Sequence, residues 1–496
     1  MTSSPRREVA PIAGGIHIQT EGALFEAVQL GRLFPDSKTF VDAVPRIDPA
    51  AIQQQFDTLV ASGARFDLRT KIDEWFDLPV RHARHAGVPV RADSAMSYIE
   101  RTWDRLTREA KNVPEHSTLL AVPHPFLVPG GRFDECFYWD SYFTALGLVR
   151  QGRSHLVEGI VENLVHLQKT VGLIPNGSRT YFTSRSQPPV LALLVGLLPD
   201  PVRYLDALLT EHALWTSADR TVLVGGVPMS RYLGGDTTPR PESYAEDVAT
   251  NGGDNTPCQL FAHLRAGAES GWDFSSRWMD DPNDLATIRT QDVVPIDLNC
   301  LLVLLEHTIS ALGDRAGRSD LQSFRQRALR RADAILRYFF DEDAGWFTDL
   351  DASTTAHRTQ LSLAGMLALA ARVADDRTAE RVRRTLLDRF LAQGGLRTTL
   401  VDTNQQWDGR NGWAPLHWWA IEGLRAYGFV DEAEMVKTRW LRTCDTGFAA
   451  DGVLMEKYDV DDPGIRAEGG EYEVQEGFGW TNGVYVALND TKPGPA

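Results

Sequence analysis

Apolar residues recur at helical spacing along most of the chain after residue 93. Where apolar side chains fall at positions i, i+3, i+4 and i+7, one face of a helix is apolar and packs against a core. This pattern predicts helices over residues 94–111, 154–169, 201–214, 296–312, 321–340, 359–374, 379–391, 415–427 and 431–441. Alternating apolar and polar positions, which indicate β-strands, form no convincing series. The sequence therefore predicts an all-α protein.

Long loops separate many of the predicted helices and recur along the whole helical region. They are rich in Gly, Pro, Asn, aromatic and charged residues, and they cover residues 129–140, 175–189, 225–254, 403–415 and 456–482. Such a series predicts paired helices in a ring whose connections gather on a common face. A helical solenoid would also alternate helices and loops, but the chain has no fixed repeat of about 20 to 50 residues. We therefore predict a toroid of about a dozen helices.

The ends of the chain differ from this helical region. Residues 1–92 mix Pro, Gly and Asp with short apolar runs and have no sustained helical period. We predict that they form a mostly irregular N-terminal arm or cap, that residues 93–490 form the helical domain, and that residues 491–496 form a short tail. His82 and His85 are three residues apart, but no third ligand accompanies them, and we predict no metal site.

The composition indicates a globular protein with a substantial core. Of the 496 residues, 43% are hydrophobic, and 13 Trp, 21 Phe and 12 Tyr supply bulky side chains, which excludes a disordered or fibrous chain. The longest aliphatic runs begin at Val190 and Leu301 and are far shorter than the roughly 20 residues that span a bilayer. We interpret them as core helices and predict no membrane partner.

The charge balance argues against nucleic acid as a partner. The chain has 51 Lys and Arg against 67 Asp and Glu, a net charge of −16, whereas binding of phosphate backbones requires basic residues concentrated on one face. The four cysteines are far apart and include no C-x-x-C pair, which excludes a disulfide framework and a zinc knuckle: Cys136, Cys258, Cys300 and Cys444.

The N-terminal residues bear on the cellular compartment. They contain an early basic pair, but no apolar run of roughly 7 to 15 residues follows it, as a secretory signal requires. The sequence therefore predicts a cytoplasmic protein.

The long loops combine tryptophans with arginines and carboxylates. Trp faces cover the apolar faces of sugar rings, while carboxylates, amides and Arg side chains form hydrogen bonds with hydroxyl groups. The mixture favours a pocket for a neutral polyhydroxyl ligand. For any single residue an ordinary structural role is an equal alternative, because most surface ion pairs contribute little.

Cleavage of a glycosidic bond requires two carboxyl groups, one protonated and one ionised. Composition cannot select them from 67 acidic residues. Asp273 follows Gly271 and Trp272, which could place its carboxyl against apolar surface and raise its pKa. Glu456 follows an apolar pair and precedes Lys457, whose charge would favour the ionised form. Most acidic residues with such neighbours are solvated, so these neighbours alone do not select the pair.

Two long motifs carry a family resemblance. The run PGGRFDECFYWDSY from Pro129 and the run QWDGRNGWAP from Gln406 resemble the two signatures of the trehalases of glycoside hydrolase family 37, in the same order. Shorter matches begin at Ile174, Arg240, Glu269, Glu456 and Gly469, so the resemblance covers roughly residues 123–486. It implies an (α/α)6 barrel that hydrolyses α,α-trehalose to two glucose molecules with inversion at one anomeric carbon, without a metal or organic cofactor.

The resemblance also implies roles for individual residues. Asp273 falls at the position of the family's general acid and Glu456 at that of its general base. The matched motifs imply substrate contacts at Arg132, Phe133, Trp139, Asp140, Asn176, Arg185, Gln187, Arg240, Glu242, Gly271, Trp407, Asp408 and Glu471. We predict trehalose as the small-molecule partner, and the sequence gives no oligomeric state.

The chain departs from the family pattern at three places. Phe137 stands where the first signature usually has Tyr, Arg410 replaces the usual Pro of the second, and the glycine run before Glu471 is shortened to Gly469 and Gly470. Two alternatives remain open from the residues: an inverting glycosidase for another α-glucoside, and a trehalose- or α-glucoside-binding protein on the same barrel that turns over little.

Overall fold

The computed structural model describes residues 17–63, 65–79 and 92–490, so His82, His85 and the tail 491–496 lie outside the described residues. The N-terminal α-helices are α1 Ala23–Leu30, α2 Lys38–Val41, α3 Pro49–Ser62 and α4 Leu68–Trp75. The remaining α-helices are α5 Ala95–Leu106, α6 Tyr138–Arg150, α7 Ser154–Val171, α8 Leu191–Gly196, α9 Leu205–Trp215, α10 Tyr244–Thr250, α11 Gln259–Ser270, α12 Ile296–Arg315, α13 Ser323–Tyr338, α14 Leu367–Ala370, α15 Asp376–Thr385, α16 Ala414–Ala426, α17 Val430–Asp451 and α18 Gly479–Asn489.

Shorter helical turns and antiparallel strand pairs connect these helices. The 3-10 turns are Thr180–Phe182, Pro201–Tyr204, Pro241–Ser243, Ser276–Trp278, Leu285–Thr287, Thr290–Asp292, Ser319–Leu321 and Leu363–Met366, and a π-turn covers Leu386–Phe390. The strand pairs are β1 Val44–Pro45 with β2 Phe76–Asp77, β3 Thr107–Arg108 with β4 Phe126–Leu127, β5 Thr221–Val224 with β6 Val227–Ser230, β7 Val293–Val294 with β10 Leu350–Asp351, β8 Phe340–Asp341 with β9 Trp346–Phe347, and β11 Asn411–Trp413 with β12 Lys457–Asp459.

Six helices of the described chain form a closed inner ring. Neighbours around it are in contact in the order α6, α8, α12, α14, α16 and α18, and α18 packs against α6 to close the circle. Outside this ring, α7 packs on α6 and α8, α9 and α13 pack on α12, α17 packs on α16 and α18, and α5 packs on α18. The predicted all-α (α/α)6 barrel is confirmed.

The inner helices are apolar because they are covered on nearly every side. In α6, residues 138–148 are all buried, and α12, the one described helix apolar and long enough to cross a membrane, is mostly buried within the barrel. A helix that is hydrophobic all round belongs in the interior. The aliphatic run from Leu301 is therefore a core helix, as predicted.

Several predicted boundaries differ from the structure. The expected helix over residues 359–374 is reduced to the turn Leu363–Met366 and the short α14, and the one over 379–391 ends in a π-turn. The hairpin of β5 and β6 lies within an expected loop, and its turn, Gly225 and Gly226, has positive φ at both residues, which suits a tight hairpin.

The N-terminal residues are more regular than the predicted irregular arm. Local capping helps α3 form: the Asp48 carboxylate accepts a hydrogen bond from the Ala50 N–H at 2.8 Å, Pro49 starts the helix, and Gly63 ends it with positive φ. The helices α1, α2 and α4 have 8, 4 and 8 residues, too few to show a sustained apolar period in the sequence. Together the four N-terminal helices bury an apolar cluster that includes Phe25, Phe40, Phe56, Ile72 and Trp75, and this cluster continues into barrel residues Phe137, Tyr181, Phe182, Tyr244 and Val248.

A buried ionic cluster joins this N-terminal unit to the barrel. The Lys38 ammonium lies 2.6 Å from the Asp42 carboxylate and 2.9 Å from that of Glu135, and Arg179 lies 3.4 Å from both acids. The Tyr181 hydroxyl donates to Asp42 at 2.6 Å. Removing one cation would leave buried charge unbalanced, which costs more than the pair itself contributes.

We expect Lys38→Met to destabilise the protein by about 3 kcal/mol, because the buried Asp42 and Glu135 would then share one cation, Arg179, instead of two. For a chain of this length that corresponds to a fall in melting temperature of about 3 °C or more. Thermal unfolding followed by circular dichroism measures it. Arg46→Met, which breaks the exposed pair with Asp77, is the matched control and should change little; equal effects of the two substitutions would contradict the assignment.

Candidate active site

The predicted loops converge on one cavity at the N-terminal ends of inner helices. The empty space inside it, including its open mouth, is about 760 Å³. Asp140 lies in the first turn of α6, Trp413 directly precedes α16, and Phe478 precedes α18. The positive ends of these helix dipoles therefore lie near a cavity rich in carboxyl groups.

Fourteen of the fifteen residues that the sequence indicated line this cavity. They are Asp273, Glu456, Arg132, Phe133, Trp139, Asp140, Asn176, Arg185, Gln187, Arg240, Glu242, Gly271, Trp407 and Glu471. The remaining lining residues are Lys38, Pro129, Phe137, Phe182, Ser243, Ala268, Gln406, Trp413, Tyr472, Phe478 and Trp480. Gln406 and Tyr472 lie within the matched motifs and could have been found there, whereas Lys38 comes from the N-terminal unit, where no motif pointed to it.

Asp408, which the sequence predicts as a substrate contact, does not line the cavity, and its carboxylate accepts hydrogen bonds from residues behind the lining. It accepts hydrogen bonds from the Ser275 hydroxyl at 2.9 Å, from the Ser276 N–H and hydroxyl at 2.8 Å each, from the Thr399 hydroxyl at 3.1 Å and from the Thr403 hydroxyl at 2.6 Å. These bonds fix the segment that follows Asp273. Asp408 therefore shapes the site from behind.

Asp273 sits on a rigid turn. Gly271 ends α11 in the left-handed conformation with φ of 75°, which glycine adopts without strain. The residues that follow it form part of the cavity lining. Trp272 stacks on Trp407 with ring centroids 5.2 Å apart, and the Trp407 N–H donates to the Phe274 carbonyl at 3.0 Å. Two matched motifs thus hold each other in place around the carboxyl group.

Burial is the main reason why Asp273 titrates abnormally. It raises the pKa of this carboxyl to about 7; Arg240 opposes the shift, and the charge of Glu471 adds to it. Asp140 is shifted further, to a pKa of about 8, by burial and by the charges of Glu456 and Asp273. Both groups can therefore hold a proton near neutral pH.

Glu456 is buried as well, and burial raises its pKa. The opposing influences are the Lys457 charge, a hydrogen bond donated by the Tyr472 hydroxyl to Oε1 at 3.0 Å, the Gln475 N–H 3.5 Å from Oε2, and Arg132. Each of these favours the ionised carboxylate. The environment of Glu456 thus supplies several donors and cations to its charged form.

The arginines are paired with carboxylates around the cavity. Arg185 donates to the Asn176 side-chain oxygen at 2.9 Å and to Glu242 at 2.6 Å, and Arg240 donates to Asp247 at 2.6 Å and to Glu471 at 2.8 Å. Burial alone would raise the pKa of Glu242, but Arg185 and Arg240 lower it. Some buried polar atoms at the cavity have no hydrogen-bond partner among the described residues: Arg132 Nε, Trp139 Nε1, Arg185 Nη1 and Glu242 Oε2. They are suited to hydroxyl groups of a ligand.

The departures from the family pattern leave the cavity intact. Phe137 packs edge-on against Phe133 and Phe182, each with ring centroids 5.4 Å away, so apolar surface replaces the hydroxyl. Arg410 points outward toward Asp459. Gly469 and Gly470 both have positive φ, and the Gly470 N–H donates to the Asn404 carbonyl at 3.0 Å. The shortened glycine run still provides two left-handed positions.

Comparison with known proteins gives a consistent result. A family model described as Trehalase matches residues 32–491. The chain is 42% identical over 492 residues to a periplasmic trehalase of Salmonella agona, and 42% identical over 490 residues to one of Xanthomonas campestris pv. campestris, covering 95% of this chain and 85% of each relative.

Solved structures support the fold. The neutral trehalase of Saccharomyces cerevisiae superposes with a TM-score of 0.67 at 23% identity, over 80% of this chain and 95% of that chain. A mannosylglycerate hydrolase of glycoside hydrolase family 63 from Thermus thermophilus superposes with a TM-score of 0.54 at 20% identity, over 80% of this chain and all of that chain. At these identities the likeness concerns the barrel alone.

One prediction from the sequence is wrong. The curated relatives are named periplasmic trehalases, which contradicts the prediction of a cytoplasmic protein. That prediction rested on the N-terminal residues alone, and the packing of the barrel carries no information about the compartment.

Asp408→Ala should lower stability by about 3 kcal/mol and reduce kcat, because several buried donors would lose their acceptor next to the segment that carries Asp273. Asp408→Asn should be milder, since the four hydroxyl groups can rotate to suit an amide. Thermal unfolding and steady-state kinetics measure the two effects. Asp281→Ala removes a carboxylate from an exposed turn and should stay within about 0.5 kcal/mol; if Asp408→Ala behaved like it, the positioning role would be refuted.

Proposed function

Because the chain belongs to the trehalase family, we propose that it hydrolyses α,α-trehalose to two glucose molecules, with Asp273 as general acid and Glu456 as general base of an inverting mechanism. The observation that carries the residue assignment is their joint position in one buried cavity, on separate loops, with different partners. Burial raises the pKa of Asp273 to about 7 against the opposing charge of Arg240, whereas Glu456 has Lys457 beside it and accepts a hydrogen bond from the Tyr472 hydroxyl.

The proposed reaction uses the two groups in opposite senses. Asp273 donates its proton to the oxygen that bridges the two anomeric carbons, and the bond from one anomeric carbon to this oxygen breaks. Glu456 removes a proton from a water molecule, whose oxygen attacks that carbon from the opposite face. The mechanism requires the carboxyl groups to lie about 6.5 to 9.5 Å apart, so that the water fits between base and sugar. The products are one β-glucose and one α-glucose.

The residues around this pair suit a neutral disaccharide. Trp139 and Phe133 provide aromatic surface for the sugars, while Arg185 and Glu242 provide unpartnered polar atoms for hydroxyls. A substrate without charge needs no free cation, and Arg185 and Arg240 are already paired with carboxylates.

We also propose that the protein works in the periplasm, as the names of its relatives state for them. That compartment is oxidising. The four cysteines are free, and burial raises the pKa of Cys136, Cys300 and Cys444, which keeps these thiols protonated and unreactive.

Proton NMR of freshly mixed protein and α,α-trehalose should show equal initial amounts of α- and β-glucose. Asp273→Asn and Glu456→Gln should each lower kcat by about 100-fold or more. Asp140→Asn tests the other carboxyl that holds a proton near neutral pH. α-Glucosyl fluoride distinguishes the general acid from the general base, because fluoride leaves without protonation. We expect Asp273→Asn to retain hydrolysis of α-glucosyl fluoride and Glu456→Gln to lose it.

Three results would contradict parts of this assignment. Initial formation of α-glucose alone would exclude inversion. Retention of fluoride hydrolysis by Asp140→Asn together with loss of trehalose hydrolysis would make Asp140 the acid. Trehalose binding without any release of glucose from a folded sample would favour the binding-protein alternative.

We expect kcat/KM to fall as the pH rises through about 7, because the acid must be protonated and its raised pKa places the loss there. Glu471→Gln removes a negative charge that raises the pKa of Asp273, so it should move this alkaline limb to lower pH. Glu473→Gln, an exposed position in the same segment, is the matched control and should leave the limb in place. If the alkaline limb of Glu471→Gln stayed at the same pH, the electrostatic coupling between Glu471 and Asp273 would be refuted.

A further inference from the structure

The side-chain amide of Gln406 lies between the two proposed catalytic residues. Gln406 is buried, and its Nε2 donates to the Asp273 carbonyl at 2.6 Å and faces the Tyr472 hydroxyl at 3.5 Å. On the other side, the Lys457 ammonium approaches Oε1 at 3.4 Å. Lysine has no acceptor, so the amide oxygen must face it and the amide NH₂ must face Asp273. The orientation of this amide is therefore fixed.

Tyr472 continues the connection to the proposed base. Its hydroxyl donates to Glu456 Oε1 at 3.0 Å. Its ring lies under the Arg132 guanidinium, 4.9 Å from the centroid, and packs edge-on against Phe133 at 5.4 Å. Two neighbours thus hold the ring while its hydroxyl reaches the carboxylate.

Lys457 ties the same group to the segment that carries Tyr472. Its ammonium donates to the Gly469 carbonyl at 2.8 Å and lies 5.3 Å from the ring centroid of Trp413. Burial lowers the pKa of Lys457 to about 8, and the charge of Glu456 opposes that shift. The side chain is therefore a buried cation near neutral pH, bound to the carbonyl of one segment and facing the amide of another.

From these contacts we propose that Gln406, Tyr472 and Lys457 form one positioning network that holds the Glu456 carboxylate and the Asp273 backbone in a fixed relation. The proposal rests on the function proposed above and concerns residues that act through the catalytic pair. The network connects four separate stretches of chain: 272–274, 406–407, 456–457 and 469–475. Neither carboxyl group needs to contact the other, because the amide and the phenol span the gap.

Tyr472→Phe removes one donor to Glu456 and keeps the ring. We expect kcat to fall about 10-fold and KM to change less than about 2-fold. The acidic limb of the kcat/KM profile should shift to higher pH by about half a pH unit or more, because the ionised form of Glu456 loses a hydrogen bond. The charged and titratable groups near Glu456 include Lys457, Arg132, Asp140 and Asp273, and this substitution alters none of them. Tyr427→Phe loses a half-buried hydrogen bond from the phenol to the Ala374 carbonyl, outside the cavity lining, and should leave kcat and both limbs unchanged.

A double-mutant cycle tests whether the residues act together. Gln406→Met should lower kcat about 10-fold on its own, and the double variant with Tyr472→Phe should lose at least about 3-fold less than the product of the single losses. Lys457→Met should lower kcat as well, and Lys457→Arg should restore part of it. Independent effects of Gln406→Met and Tyr472→Phe, with an unmoved acidic limb, would overturn the proposal.

A measurement without turnover separates this proposal from the function itself. Carbon NMR of labelled Glu side chains follows the titration of Glu456 directly, assigned by its loss in Glu456→Gln. Its pKa should be higher in Tyr472→Phe than in the unaltered protein, whether or not trehalose is cleaved. An unchanged pKa would refute the network even in an active enzyme, and failure of the unaltered protein to cleave trehalose would refute only the proposed function.

Discussion

Five carboxyl groups line one buried cavity, and the other groups of the site reduce the free-energy cost of burying several negative charges close together. Among the described lining residues they are Asp140, Glu242, Asp273, Glu456 and Glu471. Buried like charges repel strongly, so the groups cannot all be ionised unless each has its own compensation. Glu242 and Glu471 receive arginines, whereas Asp140 and Asp273 take up protons more readily. The charged form of Glu456 is favoured by Lys457, Arg132 and the Tyr472 hydroxyl, so the proposed division between Asp273 as acid and Glu456 as base rests on this unequal compensation.

The proposed division requires that Asp273 and Glu456 stay in fixed positions, and groups behind the cavity lining hold the segments that carry them. Asp408 holds the segment after Asp273 through three hydrogen bonds and accepts two more from Thr399 and Thr403, and stacked Trp272 and Trp407 join two motifs at the same place. The closed ring of inner helices supplies the frame, because each long loop begins or ends at a rigid helix. Loops of this length would otherwise be the most mobile part of the fold. Here they are held by buried polar contacts.

The sequence was sufficient for the barrel and for most of the cavity, and insufficient where contacts are long-range. Helical periodicity located α7 and α12 closely, but α14 is a short buried helix whose apolar residues have no polar face to define a period. The motifs predicted the lining residues because several residues of one signature usually line the same cavity. They could not distinguish Asp408, which faces away from the cavity, from Trp407 beside it. Lys38 was missed because the packing of α2 on the barrel leaves no local pattern.

The pairing of cations also bears on which sugars suit the cavity. Arg185 and Arg240 are buried and bound to Glu242, Asp247 and Glu471, and Lys38 is bound to Asp42 and Glu135. A phosphorylated sugar would add negative charge beside the five carboxyl groups that already line the cavity. A neutral disaccharide needs only the unpartnered polar atoms and the aromatic faces. The crowding of carboxyl groups on which the proposed division between acid and base rests therefore also favours an uncharged substrate.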